Sequence, residues 1–411
     1  MKHDESNANE ELPQDMKRRG FLGISGLGLA GGVLGVGLPL QMTATRSLAQ
    51  GGALDGKDGL DLLNDRPVNA QTPAHLLDDA ITPKARHFVR NNGIVPDDTS
   101  AEGWMLTVDG LVDQPMKMSI DDLRDQFEVV TMALTLECGG NGRGFFDPPA
   151  SGNQWTYGAV ACSEWTGVML RDVLEAAGVQ DSVVYTGHYG ADAHLSGDPE
   201  KSPLSRGLPI EKAMTDNVLI AFEMNGEPLH RLNGAPLRLV VPGWPGSCSQ
   251  KWLTRIELLD HKHDGTKMAA PSYSVPSYPV APGTDVPLED FETIHAMPVK
   301  SLITHPQDGA DVGSEFEVRG HAWAGDRTVQ KMEVSSDYGE SWQRAELDDP
   351  VNAGAWQNWR TTVSLPQSGY FEIWARATDS EGVMQPFAIK WNPKGYLNNS
   401  FHKVAVQAKV A

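Results

Sequence analysis

The spacing of apolar and polar positions changes character near residue 298, and the two stretches predict different kinds of structure. Before that point, short apolar runs alternate with helical patterns. Residues 129–136 (Val-Val-Thr-Met-Ala-Leu-Thr-Leu) are β-branched and apolar enough for a buried strand, and residues 104–112 alternate as a strand does. Residues 119–123 open a short helix with Ser119 as its N-cap. Leu170, Val173, Leu174 and Ala177 share one helical face, and Gly178 ends it. Strands are expected at 182–185, 217–222 and 233–243, a short helix at 209–214, and a hairpin turn at Asn225-Gly226. A Gly/His loop should follow residue 185 and carry His188 and His194. The Gly/Asp/Asn-rich residues 50–80 read as a linker or surface coil.

Beyond residue 298 short strands recur at 301–304, 316–322, 329–335, 342–347, 356–363 and 370–378, separated by Asp-Gly, Gly-Asp and Gln-Ser-Gly turns. That rhythm predicts an immunoglobulin-like β-sandwich without a disulfide. The expected class is α+β: a mixed α/β core followed by a sandwich. At the other end, Lys17-Arg18-Arg19 precedes a Gly/Ala/Leu/Val-rich run to about residue 40 and a small-residue site at Ser47-Leu48-Ala49. This reads as a twin-arginine signal peptide over 1–49, hence export to the periplasm with no stable membrane span in the mature form. Twin-arginine export carries folded proteins, which suits one that takes up a cofactor in the cytoplasm.

Charge and cysteine content narrow the function. The 411-residue chain carries a net charge of -20 and no basic run besides 17–19, which excludes nucleic acid as a partner. Its three cysteines, Cys138, Cys162 and Cys248, are too few and too scattered for a disulfide framework or a CxxC metal site. Cys138 ends the apolar run and leads into Gly139-Gly140-Asn141-Gly142-Arg143, a loop able to bend tightly beside a bulky group. On spacing alone, Cys138 is either an inert buried thiol or a soft metal ligand at a strand end. Arg238, amid apolar neighbours, needs an anionic partner, and its fork suits phosphate. The small-residue loop 247–253 adds Lys251. His188 and His194, six apart with no carboxylate pairing, read as hydrogen-bonding residues rather than ligands.

Taken together, the motifs Phe88-Val89-Arg90-Asn91, Glu137-Cys138-Gly139-Gly140-Asn141-Gly142-Arg143, Trp155-Thr156-Tyr157-Gly158, Gly226-Glu227-Pro228-Leu229 and Pro236-Leu237-Arg238-Leu239-Val240-Val241-Pro242-Gly243 with Lys251-Trp252-Leu253 resemble the sulfite oxidase family of molybdenum enzymes. Gly320-His321-Ala322-Trp323 and Trp391-Asn392-Pro393-Lys394-Gly395 extend the resemblance into the sandwich. Within the family the chain looks most like the molybdenum subunits of Sox-type sulfane (sulfite) dehydrogenases. The resemblance implies a molybdopterin-binding catalytic domain over 81–297 and a dimerisation domain over 298–411. It also implies molybdenum and molybdopterin as cofactors, with Cys138 as the metal's thiolate ligand. Catalytic roles fall on Cys138, Arg90, Arg143, Arg206 and Lys394, and cofactor binding on Arg90, Asn91, Asn92, Cys138, Asn233, Arg238, Ser249 and Lys251.

The reaction implied is oxygen transfer to sulfur, either on sulfane sulfur held by a carrier protein or on free sulfite. With no CxxCH haem site and no dinucleotide fingerprint in the chain, a separate c-type cytochrome is the expected electron acceptor, in a heteromer built on a homodimer. The family pattern is broken at Asn92 and Asn233, where histidines are usual, and Leu204 falls where a tyrosine of free-sulfite oxidisers is expected. These departures favour a substrate delivered by a carrier. Cys162 and Cys248 read as structural.

Overall fold

The computed structural model describes residues 52–410, so the signal peptide read at 1–49 lies outside the described residues. The described chain begins with a correction. Within the segment 50–80, the described residues from 52 onward are not a linker: β1 (Asp61–Asp65) and β2 (Val68–Gln71) form a hairpin, and β2 pairs with β3 (Val89–Arg90). Leu54, Leu60 and Ala70 hold this segment down by packing with Val89 and Leu232. Three widely spaced apolar residues suffice because each finds a buried partner.

The core follows as β4 (Leu106–Gly110), β5 (Met116–Met118), α1 (Ile120–Gln126), β6 (Val129–Glu137), β7 (Val160–Met169), α2 (Leu170–Ala177), β8 (Tyr185–Gly190), β9 (Gly207–Pro209), α3 (Ile210–Ala213), β10 (Leu219–Met224), β11 (Glu227–Pro228), β12 (Arg238–Val240) and β13 (Leu253–Leu259). One five-stranded sheet has the order β11-β10-β7-β6 with β12 also on β10; another runs β5-β4-β13-β8-β9. Pairing within them is antiparallel except between β4 and β13. Helix α1 starts on a capping box in which Ser119 and Asp122 exchange hydrogen bonds. Helix α2 buries Leu170, Val173, Leu174 and Ala177 and ends at Gly178 with φ 72°. Both helices pack onto the sheets through one apolar cluster.

Two strands bear on the site. Strand β6 alternates between exposed and half-buried positions in its first four residues and is buried in its last five. It therefore carries the chain from the sheet's rim into the interior and delivers Cys138 there. Strand β8 overturns the expected Gly/His loop: it extends through Gly190, and His188 is buried within it, its Nε2 2.9 Å from Thr186 Oγ1. The β-branched pair Val183-Val184 that marked the expected strand at 182–185 lies just before β8, which that expectation meets only at Tyr185.

The second part is a sandwich. A sheet of Lys300–His305, Glu315–Trp323, Gln357–Ser364 and Glu346–Leu347 packs against one of Ala310–Val312, His402–Ala408, Gly369–Asp379, Val329–Ser335 and Gln343–Arg344. Core and sandwich form one packed unit within Leu48–Ala411. Arg319 pairs with Asp78, His321 Nε2 lies 2.7 Å from Leu77 O, and Trp356 Nε1 donates to Ala80 O at 2.7 Å. The segment before the last strand crosses the Cys138 loop, where Leu397 N donates to Gly139 O at 3.0 Å and Asn398 Nδ2 to Gly142 O at 2.8 Å. Gly142 sits at φ 89°, a conformation that favours glycine. No helix among the described residues is long and apolar enough to cross a membrane.

Candidate active site

Cys138 opens onto a cleft. Six segments distant in sequence wall it: the chain around β3, the end of β6, the turns after β8, the chain leading into β12, the loop before β13, and the stretch at Tyr273. Of the residues expected from sequence, Arg90, Asn92, Cys138, Asn233, Arg238, Ser249 and Lys251 line it. Asn91 is buried beside it and accepts from Lys251 Nζ. Arg143, Arg206 and Lys394 are not among the lining residues.

Arg143 is engaged behind the Cys138 loop. Its Nε donates to Lys394 O at 2.8 Å and its Nη1 to Asn153 O at 3.2 Å, with the guanidinium 5.1 Å from the Tyr396 ring centre. Of Lys394, it is the backbone carbonyl that takes part. Arg206 is buried, donates to Lys267 O at 2.7 Å, and lies 4.9 Å from the ring centre of Tyr273, which does line the cleft. Arg206 thus supports the cleft's edge from outside it.

The cleft's electrostatics are one-sided. Arg238 is buried, donates to Asn233 O at 2.6 Å and Ser249 O at 3.2 Å, and burial pulls it down to about 9. Lys251 donates to Leu232 O at 2.8 Å and to Asn91 Oδ1, and is held well below the usual lysine range by burial and then by Arg238. A further cation, Lys57, comes from the segment read as a linker; it does not line the cleft but stands behind its lining residues Asn233 and His87. It donates to Lys84 O, His87 O and Asn233 Oδ1, and burial, then Lys84 and Arg238, bring it down to about 7. The partners of these cations are carbonyl and amide oxygens, not carboxylates. Buried positive charge solvated only by neutral groups is costly, so such a cluster is built to receive an anion, and guanidinium and ammonium donors together suit phosphate.

The lining carboxylate is Asp192. Burial pushes it up to about 6 against the pull of Lys251 and Lys267, and its Oδ1 has no partner. Arg90 Nη2 and Lys267 Nζ both donate to Oδ1 of the lining residue Asn92, at 2.8 and 2.7 Å, Lys267 itself lying outside the lining. Burial and Arg90 lower Lys267 to about 8. Two cations sharing one amide oxygen have donors to spare for an oxyanion.

Sequence reasoning missed Lys57, Asp192, Lys267 and Tyr273. Only Lys57 left no local trace. Leu204 lines the cleft as expected, and so does Tyr273, from the Pro/Tyr/Ser-rich stretch 271–287. The other cysteines are buried away from the lining. Cys162 pairs across to Thr135 within the sheet, its thiol pushed up to about 11 by burial, and burial also raises Cys248.

Residues 92–267 match the oxidoreductase molybdopterin binding domain and residues 291–409 the Mo-co oxidoreductase dimerisation domain. Sulfite oxidase of Gallus gallus is 34% identical over 361 residues, covering 84% of this chain and 77% of that protein. The mitochondrial sulfite oxidase of Rattus norvegicus is 34% identical over 368 residues, covering 85% of this chain; the chain spans only 65% of that relative's length. The crystal structure of the sulfane dehydrogenase SoxCD from Paracoccus pantotrophus matches with TM-score 0.70 and 27% identity, over 92% of this chain and 96% of that one. The cofactor implied is molybdenum molybdopterin, and the cleft fits it: a thiol for the soft metal, buried cations for the phosphate, and orphaned polar atoms on Asn91, Asp192, Ser247 and Gln250 for a hydrogen-bonding heterocycle. The chain belongs to the sulfite oxidase family of molybdopterin-binding oxidoreductases.

Proposed function

We propose that this chain is a molybdenum-dependent oxidoreductase acting on a small sulfur oxyanion, with sulfite as substrate. The observation that carries this reading is the meeting of the Cys138 thiol and a carboxylate-poor cluster of buried cations in one cleft. When bound, molybdenum molybdopterin supplies two-electron oxygen-atom chemistry that no side chain provides. The residues do the rest. Cys138 would hold the metal as its thiolate ligand. Arg238, Lys251 and Lys57 neutralise the pterin phosphate, and Ser249 and Asn233 fix the cations' geometry through carbonyl oxygens. Arg90 and Lys267 bind the oxyanion, and each donor aimed at growing charge is worth a few kcal/mol in rate. Tyr273 closes the cleft beside them.

A second reading, oxidation of sulfane sulfur carried on a protein, is favoured by the near full-length likeness to SoxCD. A different tyrosine in the lining, Tyr273, weighs against it, because the loss of a tyrosine at Leu204 was one of the three departures that favoured a delivered substrate. Both readings include twin-arginine export to the periplasm through the signal peptide read at 1–49, a c-type cytochrome acceptor, and a homodimer formed through the sandwich. The test is cytochrome c reduction by the purified, molybdenum-loaded protein with free sulfite, beside thiosulfate turnover in a reconstituted mixture of sulfur-carrier and cytochrome proteins. Turnover with sulfite by the protein alone supports the first reading. Activity confined to the reconstituted mixture replaces it with the second.

A further inference from the structure

We propose that Lys300, contributed by the sandwich, is the positioning residue that sets Cys138 against the cleft. Its buried ammonium reaches across the interface and holds both ends of the cysteine turn at once. Nζ donates to Glu137 Oε1 at 2.9 Å, one residue before the cysteine, and to Asn141 O at 3.2 Å, three residues after it. Asn141 Nδ2 closes the turn by donating to the same Glu137 Oε1 at 2.9 Å, while Trp323 Nε1, also from the sandwich, donates to Glu137 Oε2 at 2.8 Å.

The backbone of Cys138 is inside this ring of bonds. Its N–H donates to Ala159 O at 2.9 Å, Ala159 N donates to Asn141 Oδ1 at 3.1 Å, and Asn141 N donates to Cys138 O at 2.8 Å. Every atom that fixes the cysteine's backbone is thus one step from Glu137 or Asn141, and both of those answer to Lys300. Glu137 and Lys300 are 3% and 5% exposed, so neither charge is screened by solvent and each depends on the other. The sandwich then has a role beyond assembly: it carries the cation that orients the core's metal ligand.

The meaning of this inference rests on Cys138 being the metal's ligand, but its first test does not. In the cofactor-free full-length protein, iodoacetamide modification is followed by mass spectrometry at each cysteine. Cys162 and Cys248, both 0% exposed, report general opening of the fold. Lys300→Gln leaves the Glu137 carboxylate without its cation, and the Cys138 modification rate is expected to change by about tenfold while the other two thiols stay protected. In the loaded protein the same variant should shift the metal's electron paramagnetic resonance signal and lower molybdenum retention on gel filtration. Glu137→Gln with Lys300→Gln restores a neutral hydrogen-bonding pair, and should bring all three readouts back toward the parent values.

An unchanged Cys138 rate in Lys300→Gln overturns the proposal. So does simultaneous modification of all three cysteines, which would mean a general loosening, and so does a double variant as impaired as the single. If Lys300→Gln fails to fold, Lys300→Arg is read in its place, because it keeps the charge and changes its shape and reach. An unchanged Cys138 rate and resonance signal there overturns the idea equally. Failure of the functional reading looks different: Cys138→Ser protein would retain molybdenum as well as the parent.

Discussion

Cys138 stands between two buried charged clusters built on opposite plans. On the sandwich side, Glu137, Lys300, Asn141 and Trp323 form a closed set in which positive meets negative and each polar group has its partner. On the cleft side, Lys57, Arg238 and Lys251 gather positive charge against carbonyls and amides, and Asn91 Nδ2, Asp192 Oδ1 and Gln250 Oε1 have no partner. The first cluster is complete as folded and the second is completed by a ligand. Buried polar groups are normally satisfied, so a concentration of unsatisfied ones beside uncompensated charge marks where a molecule binds.

The largest expected effect tests the residue between them. Cys138→Ser should lower molybdenum retention and turnover by a factor on the order of 100 or more, with the melting temperature of the cofactor-free protein nearly unchanged. Metal analysis beside calorimetry checks this.

The two clusters should respond to charge removal with opposite signs. Lys300→Met strands a buried carboxylate and should destabilise the cofactor-free protein by about 3–5 kcal/mol in denaturant unfolding. Lys251→Met removes a buried ammonium that no carboxylate hydrogen-bonds, Asp192 acting on it only through space. It should leave cofactor-free stability equal or higher while cofactor retention falls about tenfold or more. Destabilisation by both would mean the cleft cluster is as complete as the other. Added inorganic phosphate sharpens the point: at about 100 times its Kd it should stabilise the cofactor-free parent by roughly 2.7 kcal/mol. Lys251→Met should lose that gain and Lys300→Met should keep it.

Sequence and structure agree where local chemistry decides and part where tertiary partners do. The apolar run into Cys138, the Ser119 cap and the α2 face ending at Gly178 each depend on near neighbours, and each formed as read. Arg238 was recognisable because a cation in an apolar strand conflicts with its surroundings. Lys57 was not, since its partners lie 27, 30 and 176 residues away in a segment without local pattern. The 163-residue separation of Lys300 from Glu137 hid the closed cluster in the same way, although Glu137 itself sits in the most conspicuous motif of the chain. Arg143 shows the converse limit. The family resemblance put it among the catalytic residues, yet its Nε donates to Lys394 O and it does not line the cleft.

The smallest predicted effect concerns Asp192, the lone carboxylate among the cleft's lining residues, and its sign follows from the direction of its shift. Burial raises it from 3.8 to about 6, so the folded protein holds its proton more tightly than the unfolded chain does. The stability this contributes is fully present below about pH 4 and is lost as pH rises through about 6. Ionised Asp192 is therefore a net cost at neutral pH, on the order of 1–3 kcal/mol at about 1.36 kcal/mol per unit. Asp192→Asn should melt higher than the parent at pH 7.5 in the cofactor-free state, and the advantage should vanish at pH 4. An equal difference at both pH values would trace the effect to packing rather than charge. A loss at pH 7.5 would mean that the neighbouring Lys251 and Lys267 outweigh burial, and the cleft would then hold a compensated pair like the one behind Cys138.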